Sequence, residues 1–308
     1  MEINLYNKGL EGVLDIEEYC KDNNIDVKKV ISLYCFINKL TEIKGLEKLV
    51  NLKTLNCENN ELTQLKGLDK LVNLEVLYCY NNELIELDVS NLANLEDLFC
   101  ENNKLTELDV SKLVNLEWLG CCDNKLTELD VNNLVNLEQV YCSKNNLTEI
   151  KGLDKLVKLQ WLDCDDNKLT ELVVKKLVNL EWLSCSNNKI TELDVKKLVN
   201  LEWLNCSNNK ITELDVKKLV NLKWLYCSNN KITELDLSNL VNLKWLFCEN
   251  NELTELKGLD KLVNLERLDC HNNNLTELDV SKLVNLEVLN GEEYIQPEPK
   301  PAILDNKR

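Results

Sequence analysis

A solenoid of short turns, each adding one strand to a parallel sheet, is the fold class this sequence predicts, and three spacings predict it. Twelve of the fourteen cysteines, Cys35, Cys57, Cys79, Cys100, Cys121, Cys142, Cys164, Cys185, Cys206, Cys227, Cys248 and Cys270, stand 21 or 22 residues apart. Three residues after each comes an asparagine: Asn38, Asn60, Asn82, Asn103, Asn124, Asn145, Asn167, Asn188, Asn209, Asn230, Asn251 and Asn273. Leucines complete the frame L-x-x-L-x-C-x-x-N-x-L, as from Leu201 to Ile211. Self-similarity with a period of about 20–50 residues marks a stack of supersecondary units, because one unit cannot bury its apolar face alone.

The frame itself is the leucine-rich-repeat signature. In the Cys206 turn, Leu204 and Cys206 are two apart and share one face of a short strand, while Trp203, Asn205 and Ser207 share the other. The predicted architecture is therefore a leucine-rich-repeat horseshoe. A parallel β-sheet lines its concave face, and short 3₁₀ or extended segments form its convex face. Strands about 4.8 Å apart give a core on the order of 55–60 Å long. The asparagine turns inward at the strand end, where its amide satisfies backbone groups that the turn leaves unpaired. Asn209→Leu is expected to cost about 1–3 kcal/mol by orphaning them.

The outer half of each turn has two lengths. The shorter reads L-T-E-L-D-V-x-x-L-V-N-L, as from Leu105 to Leu116. The longer, after Cys35, Cys57, Cys142 and Cys248, carries one extra residue and a glycine such as Gly258. The glycine permits a tight turn, and a short 3₁₀ segment is expected there, with a local change of curvature.

The ends break the frame. Residues 1–29 are expected to form an N-terminal cap with a short helix between Leu14 and Asn24, facing Leu14 and Ile16 or Tyr19 and Cys20 inward. Residues 30–290 form the solenoid, and residues 291–308, with Pro297, Pro299 and Pro301, form an extended tail.

Composition excludes several functions. A net charge of −17 opposes a nucleic-acid partner, which needs clustered Lys and Arg, and equally opposes an anionic membrane. No apolar run of about 18 residues is present, so no membrane insertion is expected. Met1 to Leu5 shows neither a basic stretch nor an apolar core of a secretory signal, which makes the cytoplasm the default localisation. Catalysis has little to stand on: the one histidine, His271, has no nucleophile beside it in the frame, and the eight glycines form no phosphate loop. Neither cofactor nor metal is implied. The cysteines lack paired C-x-x-C spacing for zinc. Identical inward side chains on parallel strands point alike, which disfavours disulfides, so the column reads as small apolar packing. Cys122 should face outward. Asp88, Asp109, Asp130, Asp194, Asp215, Asp236 and Asp279 share one slot, where calcium ligation and capping of local turns are the two readings, the second being the commoner use. Glu96, Glu117, Glu138, Glu181 and Glu202 form a solvated flank, with Lys104, Lys125, Lys168, Lys189, Lys210 and Lys231 offsetting its self-repulsion.

The sharpest functional signal is aromatic. All six tryptophans, Trp118, Trp161, Trp182, Trp203, Trp224 and Trp245, occupy the third frame position, beside Tyr141, Asp163, Ser184, Asn205, Tyr226 and Phe247 at the fifth. Strand alternation puts this stripe on the concave face. It reads either as a binding surface, since Trp and Tyr are enriched at hot spots, or as indoles cementing the sheet.

The frame resembles the internalin-type leucine-rich repeats of bacterial surface proteins, over roughly residues 30–290. The cysteine column with L-T-E-L-D-V-S is similar to the internalin subgroup with a cysteine ladder. The resemblance implies recognition of a protein, often a host receptor, through the concave face. It also implies a secreted or surface-attached protein, although neither a signal peptide nor an L-P-x-T-G motif is present. A non-enzymatic protein-binding scaffold is thus expected, acting as a monomer on a partner with a basic and partly apolar patch. Glycan binding through the indoles, or a purely structural or assembly role, stand as the alternatives.

Overall fold

The computed structural model describes residues 1–293. One long sheet of 15 strands organises it, with strands taken in the order of the chain. Each repeat contributes three residues, among them Thr54–Asn56, Trp118–Gly120, Trp161–Asp163, Trp203–Asn205 and Arg267–Asp269. Neighbouring strands pair parallel and in register, so that equivalent frame positions stack: Leu183 pairs with Leu204, and Leu204 with Leu225. A leucine-rich-repeat horseshoe results, with its parallel sheet on the concave face.

Stacking buries what the frame said it would. Leu204, Cys206, Leu219 and Leu222 are fully buried, and the same pattern runs through one continuous core. Twelve ladder cysteines lie in it, all as free thiols. Burial pushes the Cys206 thiol up to about 12, and most of its counterparts well above the ordinary value, so these sulfurs are packing atoms rather than nucleophiles.

The asparagine ladder stitches successive turns together. Asn60 Nδ2 donates to the carbonyls of Cys35 (3.0 Å) and Cys57 (3.1 Å), while its Oδ1 accepts from Leu40 N (2.9 Å). Asn103, Asn188, Asn230 and Asn251 repeat this arrangement on their own turns. The residue before the ladder asparagine takes a left-handed conformation, as at Asn187 (φ 53°) and Asn208 (φ 55°). Asparagine tolerates that region better than most residues, which explains the doubled Asn-Asn of the frame.

A second ladder was in plain sight in L-V-N-L and went unread. Asn115, Asn136, Asn179, Asn200, Asn221 and Asn242 each donate through Nδ2 to the main-chain oxygen of the residue before the matching position one turn back, which is an asparagine except for Lys158 behind Asn179, at 2.8–3.0 Å. The residue before each of these asparagines faces solvent. It is a valine before an asparagine on ten turns, at Val50, Val72, Val114, Val135, Val178, Val199, Val220, Val241, Val263 and Val284, and Val157 holds the same exposed position before Lys158.

On the convex side, 3₁₀ segments follow the glycines of the long turns, at Leu46–Lys48, Leu68–Lys70, Leu153–Lys155 and Leu259–Lys261. Gly152 and Gly258 need φ near +80°, and a Cβ on either would lie 2.5 Å from backbone of the preceding turn. Between the long turns of Gly67 and Gly152 the shorter turns leave a hollow of about 870 Å³, lined by Asp88, Asp109 and Asp130.

The N-terminal segment does more than cover the core. Glu2–Asn4 is itself the first strand of the long sheet, paired with Ser32–Tyr34. The helix is Ile16–Asp22, beginning later than expected because the Asp15 carboxylate accepts from Glu17 N and Glu18 N and caps it there. Ile16 and Cys20 face the core from this helix. Leu14 is buried from a different element, the strand Glu11–Asp15 paired with Lys39–Lys44. At the far end Glu292–Glu293 turns back antiparallel on Val288–Leu289. The proline tail expected beyond it lies outside the described residues from 294 onward.

Candidate functional site

The tryptophan column is set by register. Trp161 pairs with Trp182, Trp182 with Trp203, Trp203 with Trp224, and Trp224 with Trp245. The leucine that follows each is fully buried, so the indoles stand on the opposite face of the sheet, half-buried. Trp118 stands apart from the five and is 37% exposed.

The indoles stack closely where the neighbouring fifth-position residues are small. Trp161 and Trp182 lie 5.1 Å apart at 3°, and Trp182 and Trp203 lie 4.1 Å apart at 6°. Further along, Tyr226 intrudes: Trp203 tilts against Trp224 at 5.7 Å and against Tyr226 at 4.8 Å, and Tyr226 stacks on Phe247 at 5.0 Å. Trp203 Nε1 is buried with no hydrogen-bond acceptor. Cations approach the last two rings, Lys223 at 5.9 Å from Trp224 and Arg267 at 4.7 Å from Trp245. Trp245 Nε1 also donates to Glu266 Oε2 (3.3 Å).

Beside the stack lies a polar group. Ser184 Oγ donates to both oxygens of Asp165 (2.8 Å each), and Asp163 Oδ1 accepts from Asp165 N (3.1 Å). Burial is the main cause that raises both carboxyls, Asp165 to about 6. Asn205 Oδ1 accepts from Ser207 N, and Tyr141 Oη donates to Gln139 Oε1 (2.9 Å).

Sequence reasoning overlooked a second carboxylate cluster on the same face. Glu58 is buried and Glu101 nearly so, and Glu101 Oε2 has no hydrogen-bond partner. Burial first, then the charge of Glu58, pushes the Glu101 carboxyl up to about 7. The signal was Gly120, the one glycine at a fifth frame position: a Cβ there would collide with the Glu101 carboxylate and the Phe99 ring. Tyr80 is bound up with the same charges, which raise its hydroxyl along with burial.

Other expectations fall into place or are corrected. The aspartate column caps turns: Asp88 accepts from Ser90 N and Oγ, and Asp109 from Ser111 N and Oγ. Those bonds hold both carboxyls below their ordinary range. Cys122 stands on the sheet face, half-buried, with its sulfur 3.1 Å from Ser143 Oγ. The lysines meant to offset the glutamate flank do not do so by pairing with it. Lys104 reaches Glu83 instead, and the flank is paired within its own column, Lys223 with Glu202 and Lys53 with Glu75, because the same frame position recurs one rung away. His271 Nδ1 sits 2.5 Å from Asp269 Oδ1, a carboxylate partner two residues back. No helix among the described residues is long and apolar enough to cross a membrane.

A family model described as leucine-rich repeats (two copies) matches residues 28–70, 178–218, 199–240, 220–261 and 241–282. The chain belongs to the leucine-rich-repeat proteins. Among solved structures it is similar to the functional domain of InlJ from Listeria monocytogenes, which includes a cysteine ladder. Identity is 33%, covering 93% of this chain and 66% of that one, with a TM-score of 0.77. An internalin, InlF from the same organism, matches at 28% identity over 85% of this chain and 87% of its own, with a TM-score of 0.67. The leucine-rich-repeat protein LIC12759 of Leptospira interrogans matches at 25% identity over 93% and 94%, with a TM-score of 0.68. Within its class the chain is thus internalin-like, and like the InlJ domain it carries a ladder of buried cysteines. It spans just under two thirds of the InlJ structure. No curated protein matches it by sequence.

Proposed function

We propose that this chain is a non-enzymatic scaffold that receives a protein partner on its hollow sheet face, around Trp161 to Trp245. The observation that carries this reading is the in-register column: five half-buried indoles on successive Trp-bearing strands, bordered by Tyr141, Asp163, Asn205, Tyr226 and Phe247. A contiguous aromatic surface of this kind is what interface hot spots are made of. Asp163, Asp165 and Glu249 beside it favour a partner with a basic, partly apolar patch, bound less tightly as salt rises.

The stacking angles favour protein over glycan. A sugar ring lies flat on an aromatic face, and the faces of Trp182 are turned to Trp161 and Trp203. Their edges are what remain for a ligand. The same stacking favours a share of sheet cement, at about 0.5–1.5 kcal/mol per ring pair.

Affinity capture with the wild-type chain and with a Trp182→Ala/Trp203→Ala/Trp224→Ala variant tests the proposal. Partners retained by the first should be lost by the second, and Trp203→Ala alone should cost a captured partner about 2 kcal/mol or more. Capture of the same partners by a folded triple variant would move the docking surface elsewhere.

A further inference from the structure

The flank leading into each strand carries a pattern that the indole face does not use. Its exposed valines form a column parallel to the solenoid axis, with Val157, Val178, Val199 and Val220 at 51%, 44%, 43% and 45% exposure. Two residues before the valine, on the convex side, the usual residue is lysine. Three residues after it, on the sheet side, the usual residue is glutamate. The strip therefore reads Lys, Val, Glu across the turns of Val72, Val114, Val178, Val199, Val263 and Val284. Among the described residues, Lys112 and Lys197, and Glu117 and Glu181, take part in no intrachain ion pair, although Lys176 of the same column pairs with Asp154 and Glu202 with Lys223.

We propose that this flank joins two copies of the chain side by side, with their solenoid axes parallel. The argument is one of symmetry. A twofold axis crossing the valine column would run the copies antiparallel and set lysine against lysine and glutamate against glutamate. A twofold axis along the column sets Val199 against Val199 of the second copy. It also brings Lys176 and Lys197 of one copy opposite Glu181 and Glu202 of the other. The strip is apolar at its centre and opposite in charge on its two sides, so it is self-complementary in that orientation alone. Curvature confines flat contact to the middle turns, where Lys176, Val178 and Glu181 adjoin Lys197, Val199 and Glu202. Both sheet faces remain open, to opposite sides, so this pairing is independent of what the indoles bind. It replaces the monomer expected from sequence.

Sedimentation of the full chain tests the proposal. A monomer–dimer equilibrium that weakens with added salt is expected. Val178→Asp/Val199→Asp changes only exposed side chains, so its thermal melt should match wild type while its dimer dissociation constant rises at least about tenfold. Orientation is read by oxidative crosslinking in a Cys122→Ser background. Val157→Cys and Val220→Cys should each link to its own kind, since equal heights meet. A chain monomeric at every concentration, a dimer indifferent to the aspartates, or links formed only between the two different cysteine variants would overturn it.

Discussion

Replacing Asn209 by leucine keeps the branching of the side chain, at a larger volume, and removes every polar atom the ladder uses at one rung. In the native turn, Asn209 Nδ2 lies 2.9 Å from the Cys185 carbonyl, 3.1 Å from that of Cys206 and 3.2 Å from that of Ser207, and its Oδ1 accepts from Ile190 N at 3.0 Å. Two amide hydrogens cannot serve three carbonyls fully, so the firm losses are the Ile190 N–H and the carbonyls of Cys185 and Cys206. An orphaned buried group costs about 1–3 kcal/mol. Asn209 is half-buried rather than sealed, and water recovers part of that, leaving about 3 kcal/mol in total, the top of the range the sequence suggested. Urea denaturation reads the total. Amide hydrogen exchange reads the place: Ile190, nineteen residues upstream of the substitution, should lose protection. Native-like protection at Ile190 with a stability loss below about 0.5 kcal/mol would refute the stitch.

Other outcomes follow from the same structure. Thiol titration should find at most Cys122 reactive in the native chain and all fourteen cysteines after unfolding, because the ladder sulfurs are sealed in the core; fast labelling of Cys206 in folded protein would contradict this. Glu101, raised from 4.5 to about 7 by burial, favours the fold while protonated, and this support is lost as pH rises from about 4.5 through 7, by roughly 3 kcal/mol at most. Glu101→Gln should therefore raise the melting temperature at pH 8 and flatten its dependence on pH in that window; a lower melting temperature at pH 8 would contradict it. Gly152→Ala should destabilise more than Gly45→Ala, both having φ near +80°, because only the former meets backbone at 2.5 Å; equal losses in paired melts would show that the conformation alone matters.

The fold was legible because its information is periodic. Each Leu, Cys and Asn position is stated twelve times over, and alternation along a three-residue strand separates Leu204 from Trp203 without ambiguity. What escaped was whatever departs from the period or spans two turns. Nothing within its own turn distinguishes Gly120, and only its distance to Glu101 on the previous rung shows why a side chain is missing there. The role of the V-N pair is not visible within one turn, because its asparagine bonds to a carbonyl more than twenty residues away. The helix start moved because a single cap at Asp15 outweighs the apolar pattern around Leu14. Alternation separates the stripe from the core leucines, but its tilt beyond Trp203 depends on Tyr226, and ring packing between neighbours cannot be read from one turn at a time.

The backward reach of the ladder gives the chain a direction. Asn230 supplies the carbonyl of Cys206 and the amide of Ile211, both belonging to the turn before it. During synthesis, then, no turn is finished by its own residues; each waits for the next to leave the ribosome, and closure trails elongation by one period. A ribosome stalled within the array would always expose one open turn at its exit.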